Sequence, residues 1–446
     1  MRILNFSVEN FRSFRDETRV SFEHKGTVLP VVVFMGANAS GKSNVLKALD
    51  FMAGAVRLSA TTWLSSRFIP VDRFAFSRES REAPSEFALE FEHDGSRWIY
   101  EFALTDHAVT YEALHEKTTS RWSRVFERDR EGPDGAEQLK FRRGVTRVQQ
   151  VSPRELVLSR ALVIDHPVLS VPARGIVEGL DFYTTAAIEN IERTTMLAQA
   201  LEQGEISSDL IAPLLQLADT GIEGVAVEVE TAPPELASYL TALFHVDKEH
   251  IGRLAGAESD AAGNADRAVE LEASDELKNE ATQWIRRNLR FRHTGSDDEA
   301  PMLDLREQSD GTQAWLALIV QVREVLKRGG VLVADEIDSS LHTYLSATII
   351  GFFEDPELNR HGAQLILTTH DAHLLAPSSG AQLKPEQVWI AEKSPEGATS
   401  LECLGQFQIK RNHNMTKRYL EGRFGGVPIV APSLMAALLD PVEEKR

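Results

Sequence analysis

Three short apolar runs interrupt an otherwise mixed chain: VLPVVVFMG at residues 28–36, VLVA at 331–334 and GAQLILTT at 362–369. Each is short and bounded by turn residues, the pattern of strands buried on both faces of a parallel sheet. From residue 84 to about 116 the pattern changes to period-2 alternation with His-Asp-Gly-Ser at a turn, which predicts antiparallel hairpins. Helical spacing takes over at Val45, Leu46, Leu49 and Met52, and again at Trp315, Leu318 and Val322. Residues 152–290 are mostly helical by pattern, as in AAIENIERTTMLAQALEQ and SDELKNEATQWIRRNLRF, with a short alternating strand ending at 230. The small, polar stretch AGAESDAAGNADRA at 255–268 predicts a mobile loop. No heptad pattern is sustained, which excludes long coiled-coil arms.

Composition narrows the class. The 446 residues suffice for one large domain with an insertion, or for two or three ordinary domains, and 42% hydrophobic content supports a substantial core. A net charge of -19 argues against a general electrostatic nucleic-acid binder while leaving local basic patches open. Cys403 is the only cysteine, so an intramolecular disulfide and a cysteine-cluster metal site are excluded. MRILNFSVENF has no long apolar core and no run of 18 apolar residues occurs, so a soluble, reducing, cytoplasmic setting is expected.

The first apolar run leads into Gly36-Ala37-Asn38-Ala39-Ser40-Gly41-Lys42-Ser43-Asn44, which fits the P-loop pattern. Small residues let backbone N–H groups curl around phosphate oxygens. Lys42 would meet the β- and γ-phosphates, and the Ser43 hydroxyl would ligate Mg²⁺. The helix that follows turns its N-terminus to the anion. The second run ends in Asp335 and Glu336, a carboxylate placed for the metal and one placed as general base for the attacking water. Ser309-Asp310-Gly311-Thr312 should cap a helix, and the third run ends in Thr368, Thr369 and His370, the last a candidate γ-phosphate sensor.

In this order the motifs resemble the ABC-type ATPases of the SMC/RecF/OLD branch. QSDGT would be the signature, SSLH (339–342) the D-loop and His370 the switch histidine, while VENFRSF (8–14) resembles the branch's opening strand, in which Arg12 approaches the nucleotide. The resemblance implies an α/β P-loop head with a parallel-core sheet and an antiparallel β-subdomain, split by a mainly helical insertion. The expected division is 1–150, 151–295 and 296–446, since 293 residues separate Lys42 from Asp335. It also implies ATP and Mg²⁺ as ligands and a homodimer or higher oligomer, in which Ser309 and Gly311 of one copy contact the γ-phosphate bound by the other. Asp310 departs from the usual small residue, and no Q-loop glutamine is evident; Asp72, within FIPVDRF, is the candidate for that position.

The tail QFQIKRNHNMTKRYLEGRFGGVPIV resembles RloA-like ATP-binding proteins of bacterial anti-phage defence and restriction loci. That likeness implies an ATPase subunit controlling a separate effector, such as a nuclease. After His370 only 76 residues follow, without the acidic cluster of a nuclease that holds two metals. The alternative is a RecF/SMC-like DNA-repair or DNA-clamping ATPase. Residues 117–160 carry eleven Lys/Arg against six Asp/Glu, and 410–423 interleave basic and aromatic residues. The first segment reads either as a nucleic-acid or effector contact or as a solvated surface hairpin and loop, the second either as such a contact or as a packed terminal helix. No membrane association is expected.

Overall fold

The computed structural model describes residues 1–118, 120–130, 138–184, 187–218, 220–231, 285–295, 301–408 and 414–427. The chain divides into two compact units, Met1–Thr185 with Leu318–Arg446, and Ala186–Ala317.

Strands are numbered along the chain. The first half of the larger unit contains β1 (Arg2–Glu9), β2 (Thr18–Ser21), β3 (Glu23–His24), β4 (Thr27–Val28), β5 (Val31–Gly36), β6 (Ser85–His93), β7 (Ser96–Leu104), β8 (Val109–Thr118), β9 (Arg121–Asp129), β10 (Gln138–Phe141) and β11 (Leu180–Tyr183). The smaller unit holds β12 (Ile222–Thr231), β13 (Ile285–His293) and β14 (Leu303–Asp304). The larger unit resumes with β15 (Val331–Ala334), β16 (Gln364–Thr369), β17 (Val388–Lys393) and β18 (Thr399–Cys403).

Six strands form the sheet that carries the candidate chemistry, in the order β11-β15-β16-β5-β17-β18. Every pairing is parallel except the β17–β18 hairpin at the edge. All residues of β5, β15 and β16 are buried, as the uninterrupted apolar runs demand. Registers Ala334↔Leu367, Thr369↔Met35 and Ala391↔Gly36 bring the carboxyl ends of four strands to one rim. In open parallel sheets that rim is where ligands bind.

The second sheet is antiparallel, β10-β9-β8-β7-β6-β1-β2. The alternation at 84–116 becomes β6 to β8, and Asp94 and Gly95, both at positive φ, make the two-residue turn between His93 and Ser96. The parallel-core sheet, the antiparallel subdomain and the P-loop strand together make the α/β fold of an ABC-type ATPase head. Helices Val157–Val163 and Ser170–Gly179 pack on helix Lys42–Leu58, with Ser59 and Ser159 hydroxyls bonded across to Leu156 and Ala60 N–H groups.

In the smaller unit, helices Ala187–Glu202 and Ser208–Gln216 accompany the sheet β12-β13-β14. The Trp315 indole is buried and donates to Leu214 O at 2.7 Å. One expectation fails here. The helical reading of residues 274–291 is overturned over Ile285–His293, which is a strand paired along its length with β12. Leu289 and Phe291 are buried while Arg292 is exposed, so period-2 burial against a partner strand wins over helix-like spacing. The loop at 255–268 lies outside the described residues.

Two surface segments resolve in part toward packing. Within 117–160, Arg124, Arg142 and Arg160 pair with Glu127, Glu116 and Glu155, and Arg128 is fully buried on Glu155 O and Ser152 O. Near the C-terminus, helix Met415–Leu420 buries Tyr419, whose hydroxyl donates to Gly426 O at 3.1 Å, and Phe424 is buried beyond it. Lys410 and Arg411 fall outside the described residues.

Candidate functional site

The loop between β5 and helix Lys42–Leu58 is shaped by close approach. Gly36 and Gly41 have φ of 153° and 102°, and a Cβ on either would collide with neighbours: Ala391 O at Gly36, the Thr399 hydroxyl at Gly41. The loop is also tied from outside. The Asn44 side-chain amide donates to Ser13 Oγ at 2.6 Å, and Thr399 Oγ1 lies 2.8 Å from both Ser13 Oγ and Ser40 O. Thr399 has one proton for these two contacts. Giving it to the Ser40 carbonyl lets Ser13 donate to Thr399 while accepting from Asn44, which satisfies the whole chain. The Ser40 hydroxyl itself is buried without a partner.

Lys42 is 4% exposed. Its ammonium donates to Gly36 O at 3.1 Å and Ala37 O at 3.0 Å, and stands 3.3 Å from His370 Nδ1. Desolvation lowers its pKa, opposed by the carboxylates of Glu336, Asp335 and Asp338. Because an ammonium only donates, His370 Nδ1 must accept. The imidazole then carries its proton on Nε2, 3.4 Å from Glu336 Oε1.

At the end of β15, Thr368 holds both acidic residues in place. Its hydroxyl accepts from Glu336 N at 2.7 Å and donates to Asp335 Oδ1 at 2.6 Å. Glu336 sits at φ 51°, a left-handed conformation costing a non-glycine residue about 1–3 kcal/mol and found preferentially at functional positions. Asp338 Oδ2 accepts from His370 N at 3.1 Å, while its Oδ1 is buried with no partner.

A cleft of about 620 Å³ opens over these groups, lined by Asn38, Ala39, Gly41, Lys42, Ser43, Asn44, Lys47, Glu336, His370 and Lys393. The structure thus brings together loop, general-base candidate and histidine from opposite ends of the sequence. Arg12 is placed differently: its guanidinium pairs with Asp72 Oδ2 at 2.7 Å and its N–H donates to Asp72 O, so the Q-loop candidate is its partner. Ser309 and Gly311 belong to the smaller unit. There the Ser309 hydroxyl accepts from Thr312 N at 3.1 Å and caps helix Asp310–Arg328, as the turn predicts.

Sequence reasoning missed Ser13, Thr399, Asp338, Lys47 and Lys393 as parts of this site. Lys47 had a readable signal, standing three residues beyond Asn44 on a helix. Ser13 and Thr399 had none, because their meeting depends on sheet register.

Loop, strand order and acidic strand end define a P-loop ATPase domain of the AAA class. The family described as "AAA domain, putative AbiEii toxin, Type IV TA system" matches residues 31–163 and 228–376, and the chain belongs to it. No curated protein matches. Among solved structures the chain is similar to the SMC head domain from Thermotoga maritima, at 13% identity over 90% of this chain and 99% of that one, TM-score 0.39. It is also similar to an SmcHead bound to the C-winged helix domain of ScpA, at 13% identity over 91% and 98%, TM-score 0.46. The fold assignment stands on the strand order and the loop rather than on these two likenesses.

Proposed function

We propose that the chain binds and hydrolyses ATP with Mg²⁺, that two copies close around two nucleotides, and that this cycle controls a separate effector in bacterial anti-phage defence. The observation that carries the reading is the convergence of Lys42, Glu336 and His370 on one cleft.

The donor set suits Mg²⁺. Among the described residues no three His, Cys, Asp or Glu side chains converge. The cation would therefore take the Ser43 hydroxyl, Asp335 through water and phosphate oxygens, the mixture that Mg²⁺ favours. Bound there, it would neutralise phosphate charge. Lys42 exchanges the Gly36 and Ala37 carbonyls for β- and γ-phosphate oxygens, which releases His370 Nδ1. Glu336 accepts the proton of the attacking water, and His370 Nε2–H orients that carboxylate. Asn38, Ser40, Gly41 and Asn44 shape the phosphate cradle, while Ser309 and Gly311 complete the site from the second copy. Arg12 would reach the nucleotide by leaving Asp72. A cytoplasmic setting, expected from composition, and a nuclease as the effector, suggested by the likeness of the tail to RloA-like proteins, complete the proposal.

Phosphate release with Glu336→Gln tests the reading: a fall of roughly 10²–10⁴-fold is expected, with ATP still bound and the dimer trapped. Equal inertness of wild type and variant with every effector and DNA offered would refute the ATPase. An assembly size indifferent to ATP would refute the paired site. Duplex DNA retained in an ATP- and salt-dependent manner would replace the effector by DNA clamping.

A further inference from the structure

The cleft carries more positive charge than the loop motif requires. Lys47 and Lys393 both line it, both are exposed, and neither has an ion-pair partner among the described residues. On a chain of net charge -19, two unneutralised ammonium groups over one cleft call for an anion.

Their positions in the fold are distinct. Lys47 lies one turn beyond Ser43 and Asn44 on the same face of helix Lys42–Leu58. Lys393 ends β17, two residues past Ala391, which is in register with Gly36, and it pairs across the hairpin with Thr399. One lysine thus stands on the helix wall and the other on the strand wall. In the nucleotide reading above, the Lys42–His370 and His370–Glu336 contacts at 3.3 and 3.4 Å are where γ-phosphate chemistry would fall.

We infer that Lys47 and Lys393 clasp the α- and β-phosphates from the two walls, so that they recognise the diphosphate shared by ATP and ADP and take no part in γ-phosphate cleavage. This rests on the nucleotide reading above. Lysines suit the task, since each offers a compact charge without the fixed fork of arginine, and exposure makes the contact sensitive to salt.

The test is calorimetric titration of MgATP and MgADP into wild type, Lys47→Met, Lys393→Met and the double variant, at two ionic strengths. Met keeps most of the stem and removes the charge. Each single change should raise both dissociation constants by the same factor, about five- to tenfold, and the double variant should lose most of the salt dependence. Lys→Arg at either position should restore most of the affinity, and losses in kcat/KM should enter through KM. Unchanged constants for both nucleotides, or weakened ATP with ADP unaffected, would overturn the inference. Lys42→Ala separates the two claims. Binding that it abolishes but the Met variants leave intact defeats only the clasp. Wild type that binds neither nucleotide defeats the nucleotide reading and the clasp with it.

Discussion

Lys42 and Glu112 are both charged residues taken almost wholly out of water, and both have pKa values pushed toward neutrality by burial. Their surroundings differ in kind. Glu112, on β8, accepts from Val157 N at 2.7 Å, Leu158 N at 3.0 Å and the Tyr100 hydroxyl at 2.9 Å, with the buried Arg128 guanidinium acting on it electrostatically. It closes the start of a helix and has nothing to exchange. Lys42 leans on two backbone carbonyls and an imidazole at the floor of an open cleft. A buried charge with complete, fixed partners serves the fold; one with replaceable partners is waiting for a ligand.

Substitutions should separate the two roles. Glu112→Ala leaves Arg128 and two helix N–H groups without their carboxylate and should cost about 3–5 kcal/mol, measured by denaturant unfolding, with nucleotide affinity affected only through loss of folded protein. Lys42→Ala should do the reverse: nucleotide binding weakens by about 2–5 kcal/mol while the melting midpoint stays level or rises. If Lys42→Ala unfolded the protein, the contrast would collapse.

A smaller effect is pH dependence. Burial raises the Glu112 pKa from 4.5 to about 7, although Arg128 and the donated hydrogen bonds pull it down. The folded state therefore holds a proton that the unfolded state has released between about pH 4.5 and 7. This contribution to stability is full below that window and is lost as pH rises through it. Melting midpoints of wild type should fall relative to Glu112→Gln across pH 5–7 and run parallel above it; parallel curves throughout would show an ordinary carboxylate. The least change is Thr399→Val, which should cost about 1 kcal/mol of stability by cutting the Ser13–Thr399–Ser40 chain.

Legibility followed the range of the interactions. The loop from Gly36 to Asn44 and the acidic end of β15 were readable because each is a local pattern whose chemistry demands its spacing. His370 was readable from chain order. β13 is misread from sequence because Ile285 and Leu289, four residues apart, also satisfy a helical spacing, and only pairing with β12 decides the period. The Arg12–Asp72 pair and the Ser13–Asn44–Thr399 chain were invisible, being products of tertiary register with no sequence signature. Thr368 reads from sequence only as a strand end; its grip on Asp335 and Glu336 arises from the pairing of β15 with β16.

The hydrogen-bond chain that fastens the loop also sets an order of events during synthesis. The segment from Gly36 to Ser43 is made some 330 to 360 residues before β16 and β17, which flank β5, and before Thr399, which fixes Ser40. Until then the apolar β5 has neither lateral neighbour and must be kept from pairing elsewhere, the exposure that makes nonlocal parallel sheets slow to form and open to aggregation. The nascent chain therefore carries this loop unfastened while more than 300 further residues are made, and the cleft takes shape only when those residues have folded against it.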